Sequence, residues 1–108
     1  MNIFLDDERI PADVTWIKLE DVDWVIIRSY EDFVSWLQNR GIPTHLSMDH
    51  DLGTDKTGQD CLRYLLDKVE EIQSEIPFIT FHTQNIVGKK NMEYLYKNYK
   101  RFRSFKFI

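Results

Sequence analysis

Residues 2–9 read NIFLDDER, a short apolar run that turns abruptly into consecutive charged residues. Residues 2–5 suit a buried strand, and the acids that follow cannot continue it into a core. Two later segments repeat the pattern, since residues 44–51 read THLSMDHD and residues 78–85 read FITFHTQN. The sequence therefore predicts buried strands that each end in a cluster of polar side chains.

Amphipathic segments lie between these strands. After Ser29, a typical N-cap, apolar residues recur at helical spacing until Gly41 ends the segment, and residues 62–72 and 92–99 show the same spacing. Alternation of strands and helices indicates an α/β fold with a doubly wound parallel sheet, and the length suits a single domain over residues 1–108. The predicted strands are residues 2–5, 24–27, 44–48, 78–81 and 104–108.

The first connection, over residues 6–22, contains Pro11 and scattered charges and shows no helical pattern. A loop covers a sheet less completely than a helix does. We therefore expect one face of the sheet to be thinly covered, which leaves room for a partner or for a homodimer contact.

The composition excludes several classes of protein. Its 43% of hydrophobic residues suits a folded core. No apolar run reaches the roughly 20 residues of a membrane helix, and Asp6 and Asp7 interrupt the N-terminal run too early for a signal peptide. The single cysteine, Cys61, permits no internal disulfide and is expected to be a half-buried helix residue, with a nucleophile as the alternative. We therefore predict a cytoplasmic protein without membrane contact.

The net charge of -4 is unevenly distributed along the chain. Residues 89–108 contain seven bases and one acid, whereas residues 1–88 contain seven bases and seventeen acids. Aromatic residues interleave with the bases from Lys89 to Lys106, which suits contact with RNA, although their spacing also suits a core. An RNA contact through this basic segment is thus one prediction, and a packed helix is the alternative.

The acids lie where a parallel sheet usually binds ligands. Such sheets bind them at the carboxyl ends of strands where the strand order reverses, and clustered carboxylates repel one another unless a cation is bound. Oxygen ligands favour Mg²⁺ or Mn²⁺ over zinc, and solvated loop acids are the alternative interpretation. The predicted metal ligands are Asp6, Asp7, Asp49 and Asp51.

Two histidines are expected at the same edge of the sheet. His50 and His82 follow the third and fourth strands, and imidazoles transfer protons near neutral pH. Together with Asp49 they are the candidate catalytic residues. A structural role for either histidine is the alternative.

A further set of polar residues suits a phosphate. Arg9 could pair with a neighbouring acid or give a phosphate a two-pronged contact. Residues 84–91 lead into a predicted helix, where backbone amides could face an anion. The candidate substrate-binding residues are Arg9, Thr83, Gln84, Asn85 and Asn91.

Three motifs together resemble the cyclic-phosphate processing receiver-like domains, which are divergent relatives of response-regulator receivers. They are LDDER at residues 5–9, DHDLG at residues 49–53 and HTQN at residues 82–85. The resemblance extends over most of the chain, from Ile3 to Met92. It implies a flavodoxin-like sheet of strand order 2-1-3-4-5, with the first receiver helix reduced to a loop and the last one absent.

The resemblance also implies a function. Asp6 and Asp7 would hold a metal ion, and Asp49 would occupy the position at which ordinary receivers accept a phosphoryl group. The implied activity is metal-dependent processing of a cyclic phosphate, such as the 2′,3′-cyclic phosphate end of an RNA under repair. Lys106 is followed by Phe107 rather than by the usual proline, which sets this chain apart from ordinary receivers. A signalling module phosphorylated on Asp49 and a non-catalytic adaptor that binds RNA or protein remain alternatives.

Overall fold

A computed structural model describes residues 1–106. The elements are β1 (Asn2–Leu5), β2 (Val25–Ile27), α1 (Tyr30–Arg40), β3 (His45–Met48), α2 (Gly58–Ile72), β4 (Phe78–Phe81) and α3 (Ile86–Lys106). The four strands in the described part form one parallel sheet of order β2-β1-β3-β4, which confirms the α/β class and the first four positions of the expected strand order. No helix in that part is long and apolar enough to cross a membrane.

The fifth strand expected at residues 104–108 is wrong for residues 104–106, which continue α3, and the last two residues lie outside the described part. Tertiary contacts hold this helical turn. Arg103 donates to a carbonyl oxygen just beyond α2 at 3.1 Å, and Lys106 lies 3.0 Å from the carboxylate of Glu70. Strand β4 is therefore an edge strand in the described sheet.

One face of the sheet packs against all three helices. Ile3 and Leu5 of β1 and Leu46 and Met48 of β3 are fully buried there, in a core to which α1, α2 and α3 each contribute. Cys61 lies in α2, as expected, but it is fully buried in the same core rather than half-buried, and burial raises the pKa of its thiol to about 12. That face is a conventional apolar core.

The opposite face is covered by residues 6–24, in which the one helical element is a 3-10 turn at Pro11–Asp13. The chain crosses the sheet in one direction from β1 to β2 and in the other direction afterwards, so right-handed crossovers place this first connection opposite α1 and α2. Phe4 is buried on this face, edge-on to Trp24 and stacked on His82. The first connection therefore contains no α-helix, as its sequence predicts.

Helix α2 begins in direct contact with the end of β3. Thr57 caps the helix, and its side chain accepts from the amide of Asp60. The amide of Gly58 donates to the His50 carbonyl oxygen at 2.6 Å, and a Cβ at Gly58 would overlap the carbonyl oxygen of Asp49. Glycine is therefore required for the helix to dock where β3 ends.

Candidate functional site

The carboxyl ends of β1 and β3 lie side by side, at the point where the strand order reverses. The sheet hydrogen bonding continues one residue beyond each strand. The amide of Asp6 donates to Ile27 at 3.1 Å, and the amide of Asp49 donates to Leu5 at 2.9 Å. This extension fixes the backbone of both acids, which explains why the two predicted clusters converge.

Asp6, Asp7 and Asp49 form a cluster in which one carboxylate oxygen of each residue lies within 4.8 Å of the other two. The donor set consists of carboxylates alone, which hard divalent cations prefer. Gly53 leaves room beside the cluster, because a Cβ there would lie 3.0 Å from the Asp7 Oδ2 atom. These residues fit a metal ion such as Mg²⁺ or Mn²⁺.

Asp6 is fully buried and strongly hydrogen-bonded. Its Oδ1 atom accepts from the amides of Glu8 and Arg9, both at 2.8 Å, and its Oδ2 atom lies 3.0 Å from the Nε2 atom of His82. Burial alone would raise the pKa of Asp6, but these hydrogen bonds outweigh it and hold the pKa below its ordinary value. Asp6 is therefore an ionised carboxylate inside the protein.

His82 lies beneath the cluster and is 0% exposed. Burial lowers the pKa of its imidazole, against the opposing effect of Asp6, so the ring is neutral at neutral pH. The proton then resides on Nε2 and is donated to Asp6, and Nδ1 accepts from the Ser47 hydroxyl at 2.7 Å. The structure thus places His82, a predicted catalytic residue, away from solvent.

Asp49 has the opposite electrostatic balance. Burial raises the pKa of its carboxyl, a hydrogen bond from the Thr83 hydroxyl opposes this effect, and the charge of Asp6 raises the pKa further, so that the net shift is upward. The His50 amide also donates to its Oδ1 atom at 2.8 Å. The protein neighbours of ionised Asp49 therefore stabilise its charge incompletely, which favours the binding of a cation there.

Arg9 spans the mouth of the site. Its Nη1 atom lies 3.5 Å from Asp6 and 3.8 Å from Asp49, and its Nη2 atom donates to Gln84 at 3.3 Å. The guanidinium lies over the ring of Trp16, 5.1 Å from the centroid. These contacts fix the position of Arg9, whose charged guanidinium directly faces the acids.

Trp16 was not predicted as part of the site. Its indole nitrogen donates to the carbonyl oxygen of His82 at 2.7 Å, which ties the first connection to the end of β4. The cation–π contact with Arg9 then links that connection to the acids. The sequence gives no periodic signal for this contact, because the two partners are 66 residues apart.

A second group of side chains lies at the rim. The Nδ1 atom of His50 lies 3.1 Å from Asp51, and Asn85 donates to the same carboxylate at 3.0 Å. These two hydrogen bonds, that of His50 being the larger effect, lower the pKa of Asp51. Gly88 of α3 lies against the same histidine, since a Cβ there would overlap the His50 ring. Asp51, whose side chain is 67% exposed, therefore orients His50 and lies outside the acid cluster.

These side chains surround a cleft of about 280 Å³. Asn91 is exposed on α3 and does not line the cleft, and neither histidine lines it directly. Of the residues predicted from sequence, the structure brings together around the cleft Asp6, Asp7, Arg9, Asp49, Asp51, Thr83, Gln84 and Asn85.

A parallel α/β sheet with an acid cluster between the ends of β1 and β3 defines a receiver-like domain. The family model of the cyclic-phosphate processing receiver domain matches residues 1–98, and the chain belongs to that family. The resemblance drawn from the motifs is thereby confirmed. No protein of curated function and no solved structure matches the chain. The expected span of the domain, residues 1–108, stays a prediction.

The opposite pKa shifts of Asp6 and Asp49 predict opposite stability effects in chelator-treated protein. A lowered pKa means that ionised Asp6 stabilises the fold above its ordinary pKa, and that this contribution is lost as the pH falls. Asp6→Asn should therefore lower the free energy of unfolding at neutral pH by about 2 kcal/mol, the strength of a hydrogen bond to a charged group.

A raised pKa means that ionised Asp49 destabilises the fold at neutral pH, so Asp49→Asn should raise the free energy of unfolding there. The gain should shrink as the pH falls and wild-type Asp49 becomes protonated. Urea titrations at several pH values measure both effects. If both substitutions destabilise the metal-free protein equally at neutral pH, the electrostatic description is wrong.

Proposed function

We propose that this domain hydrolyses a cyclic phosphate ester with the help of a divalent metal ion held by Asp6, Asp7 and Asp49. The observation that carries the proposal is a cluster of three carboxylates that lines one cleft together with an arginine, at the reversal point of the sheet. Membership of a cyclic-phosphate processing family supports the substrate class. The cleft is slightly smaller than pockets that enclose a whole ligand, which suits entry of the reacting phosphate alone.

Charge is central to the proposed reaction. When Mg²⁺ or Mn²⁺ is bound, it supplies stabilisation of negative charge on a phosphoryl oxygen. Arg9 can stabilise the same negative charge. Its guanidinium can contact a phosphate through two nitrogen atoms once the bound cation, rather than Arg9, neutralises Asp6 and Asp49. Gln84 holds one end of that guanidinium and so restricts its orientation.

Ring opening also requires proton transfer. The oxygen of a water molecule forms a new bond to phosphorus while one ester P–O bond breaks, and the departing sugar oxygen takes up a proton. His50 is the candidate for this transfer, since Asp51 accepts from Nδ1 and the lone pair of the neutral ring then lies on Nε2. Its side chain is 16% exposed at the rim, whereas His82 is sealed beneath Asp6.

The remaining polar residues act through their neighbours in this proposal. Thr83 donates to Asp49, and Asn85 donates to Asp51 while it also caps the first turn of α3 through Gly88. These contacts hold the acids in place, which matters because misplaced catalytic groups lose most of their effect.

A signalling role, in which Asp49 accepts a phosphoryl group, is the second candidate. Asp49 lies beside two further aspartates and accepts a hydrogen bond from Thr83, as a receiver would require. However, Lys106 pairs with Glu70 at the far end of α3, and Arg9 is the one lysine or arginine lining the cleft among the described residues. The lack of a lysine at the acids favours the hydrolase.

The direct test is incubation of the chain with Mn²⁺ and a 2′,3′-cyclic nucleoside monophosphate, with ring opening followed by phosphorus NMR. We expect turnover that falls by about 100-fold or more in Asp49→Asn and in Arg9→Met, because each removes a group that stabilises charge. Asp55→Asn is the matched control, since Asp55 is an exposed acid near the cleft that does not line it.

Equal rates in wild type and Asp49→Asn would exclude a hydrolase at this site. A parallel incubation with acetyl phosphate separates the two candidates. An acyl phosphate on Asp49, detected by intact mass, together with no ring opening would establish the signalling role instead.

The two histidines should respond differently to substitution. His50→Gln should reduce kcat by about 100-fold and leave Mn²⁺ affinity unchanged, because it removes a proton carrier that is not a ligand. His82→Asn should weaken Mn²⁺ binding about tenfold, because His82 orients Asp6. Calorimetric titration with Mn²⁺ and steady-state kinetics distinguish these effects, and the reverse pattern would contradict the assignment.

A further inference from the structure

A second groove runs along the outer edge of β4. This strand pairs with β3 on one side, and no strand of the described part pairs with the other side. The groove has a volume of about 630 Å³ and lies between α3 and the chain at Ile17 and Lys18. It shares no lining residue with the acidic cleft, so it is a separate surface.

The backbone of β4 presents hydrogen-bonding groups to this groove. The amides of Phe78 and His82 donate towards β3 at 3.0 and 3.1 Å, and backbone groups alternate along a strand, so Ile79 and Phe81 face outwards. The hydroxyl of Tyr96 accepts from the outward amide of Ile79 at 3.3 Å. The Ile79 carbonyl and the Phe81 amide have no hydrogen-bond partner among the described residues, and they can pair with an added strand.

The charge of the groove is strongly one-sided. Four lysines line it, together with a single acid, Glu93. Tyr96 also lines it, and the Lys100 ammonium lies 4.1 Å from the centroid of that ring. An occupant that satisfies both the open strand edge and this charge is an extended chain that carries carboxylates. The lysines are Lys18, Lys89, Lys97 and Lys100.

We propose that the β4 edge binds an acidic, extended peptide segment of a partner protein, which adds to the sheet as a fifth strand. Main-chain hydrogen bonds to Ile79 and Phe81 provide the docking, and the lysines select acidic side chains. A second copy of the chain fits poorly, because pairing two β4 edges would bring lysines against lysines. The phosphates of an RNA would pair with the lysines, but RNA would leave the outward backbone groups of β4 without hydrogen-bond partners.

The test is selection of a displayed library of random extended peptides on the full chain, in parallel with two double variants. Lys97→Glu/Lys100→Glu alters the groove. Lys90→Glu/Arg101→Glu makes the same charge change at exposed positions of α3 that do not line the groove. We expect enrichment of peptides with Asp or Glu at alternate positions, which bind the groove variant at least about tenfold more weakly and the control variant normally.

Amide hydrogen exchange supplies a second readout. A selected peptide should slow exchange of the Phe81 amide, because that amide gains a hydrogen bond in the added strand. The proposal is overturned by absence of acidic enrichment, by equal binding to the groove variant or by unchanged exchange at Phe81. Two further outcomes also overturn it: oligouridylate binding that depends on Lys97 and Lys100 without any peptide binding, and a dimer that the same substitutions dissociate.

Discussion

The buried carboxylate of Asp6 is the group on which the functional edge of this domain depends. Removing a charge from water is unfavourable unless hydrogen bonds replace the lost hydration. Here two backbone amides and the His82 imidazole replace it, all within 3.0 Å. The amides belong to the turn after β1, so the same hydrogen bonds that stabilise the charge also fix that turn. The position of this turn directs Arg9 across the cleft.

The support of Asp6 lies on the face of the sheet that the first connection covers. His82 is stacked on Phe4 and held by Ser47, and Trp16 caps its carbonyl oxygen. The loop that replaces a helix on this face therefore has a structural role, since its Trp16 indole donates a hydrogen bond to the backbone of His82. Asp49, by contrast, keeps a raised pKa beside this fully compensated neighbour. The repulsion between Asp6 and Asp49 lowers stability at this site, and functional sites in proteins commonly reduce stability in this way.

Much of this arrangement could be predicted from the sequence, because apolar runs that end in acids identify both the strands and the edge at which they meet. The prediction of a strand was wrong for residues 104–106, because contacts with α2 and the residues just beyond it keep this turn helical. Such contacts leave no local signal in the sequence. Position alone placed His82 at the correct edge. Its burial depends on Phe4 and Trp16, which lie far away in the chain, so a sequence pattern could not separate a catalytic histidine from a positioning one.

The proposed reaction requires the acid cluster to hold one divalent cation. Anomalous diffraction from a crystal grown with Mn²⁺ tests this requirement. We expect a single strong peak within about 2.5 Å of carboxylate oxygens from Asp6, Asp7 and Asp49. A crystal with Mn²⁺ bound only at His50 and Asp51, or with Arg9 still paired to Asp6 and Asp49 and no peak between them, would contradict it.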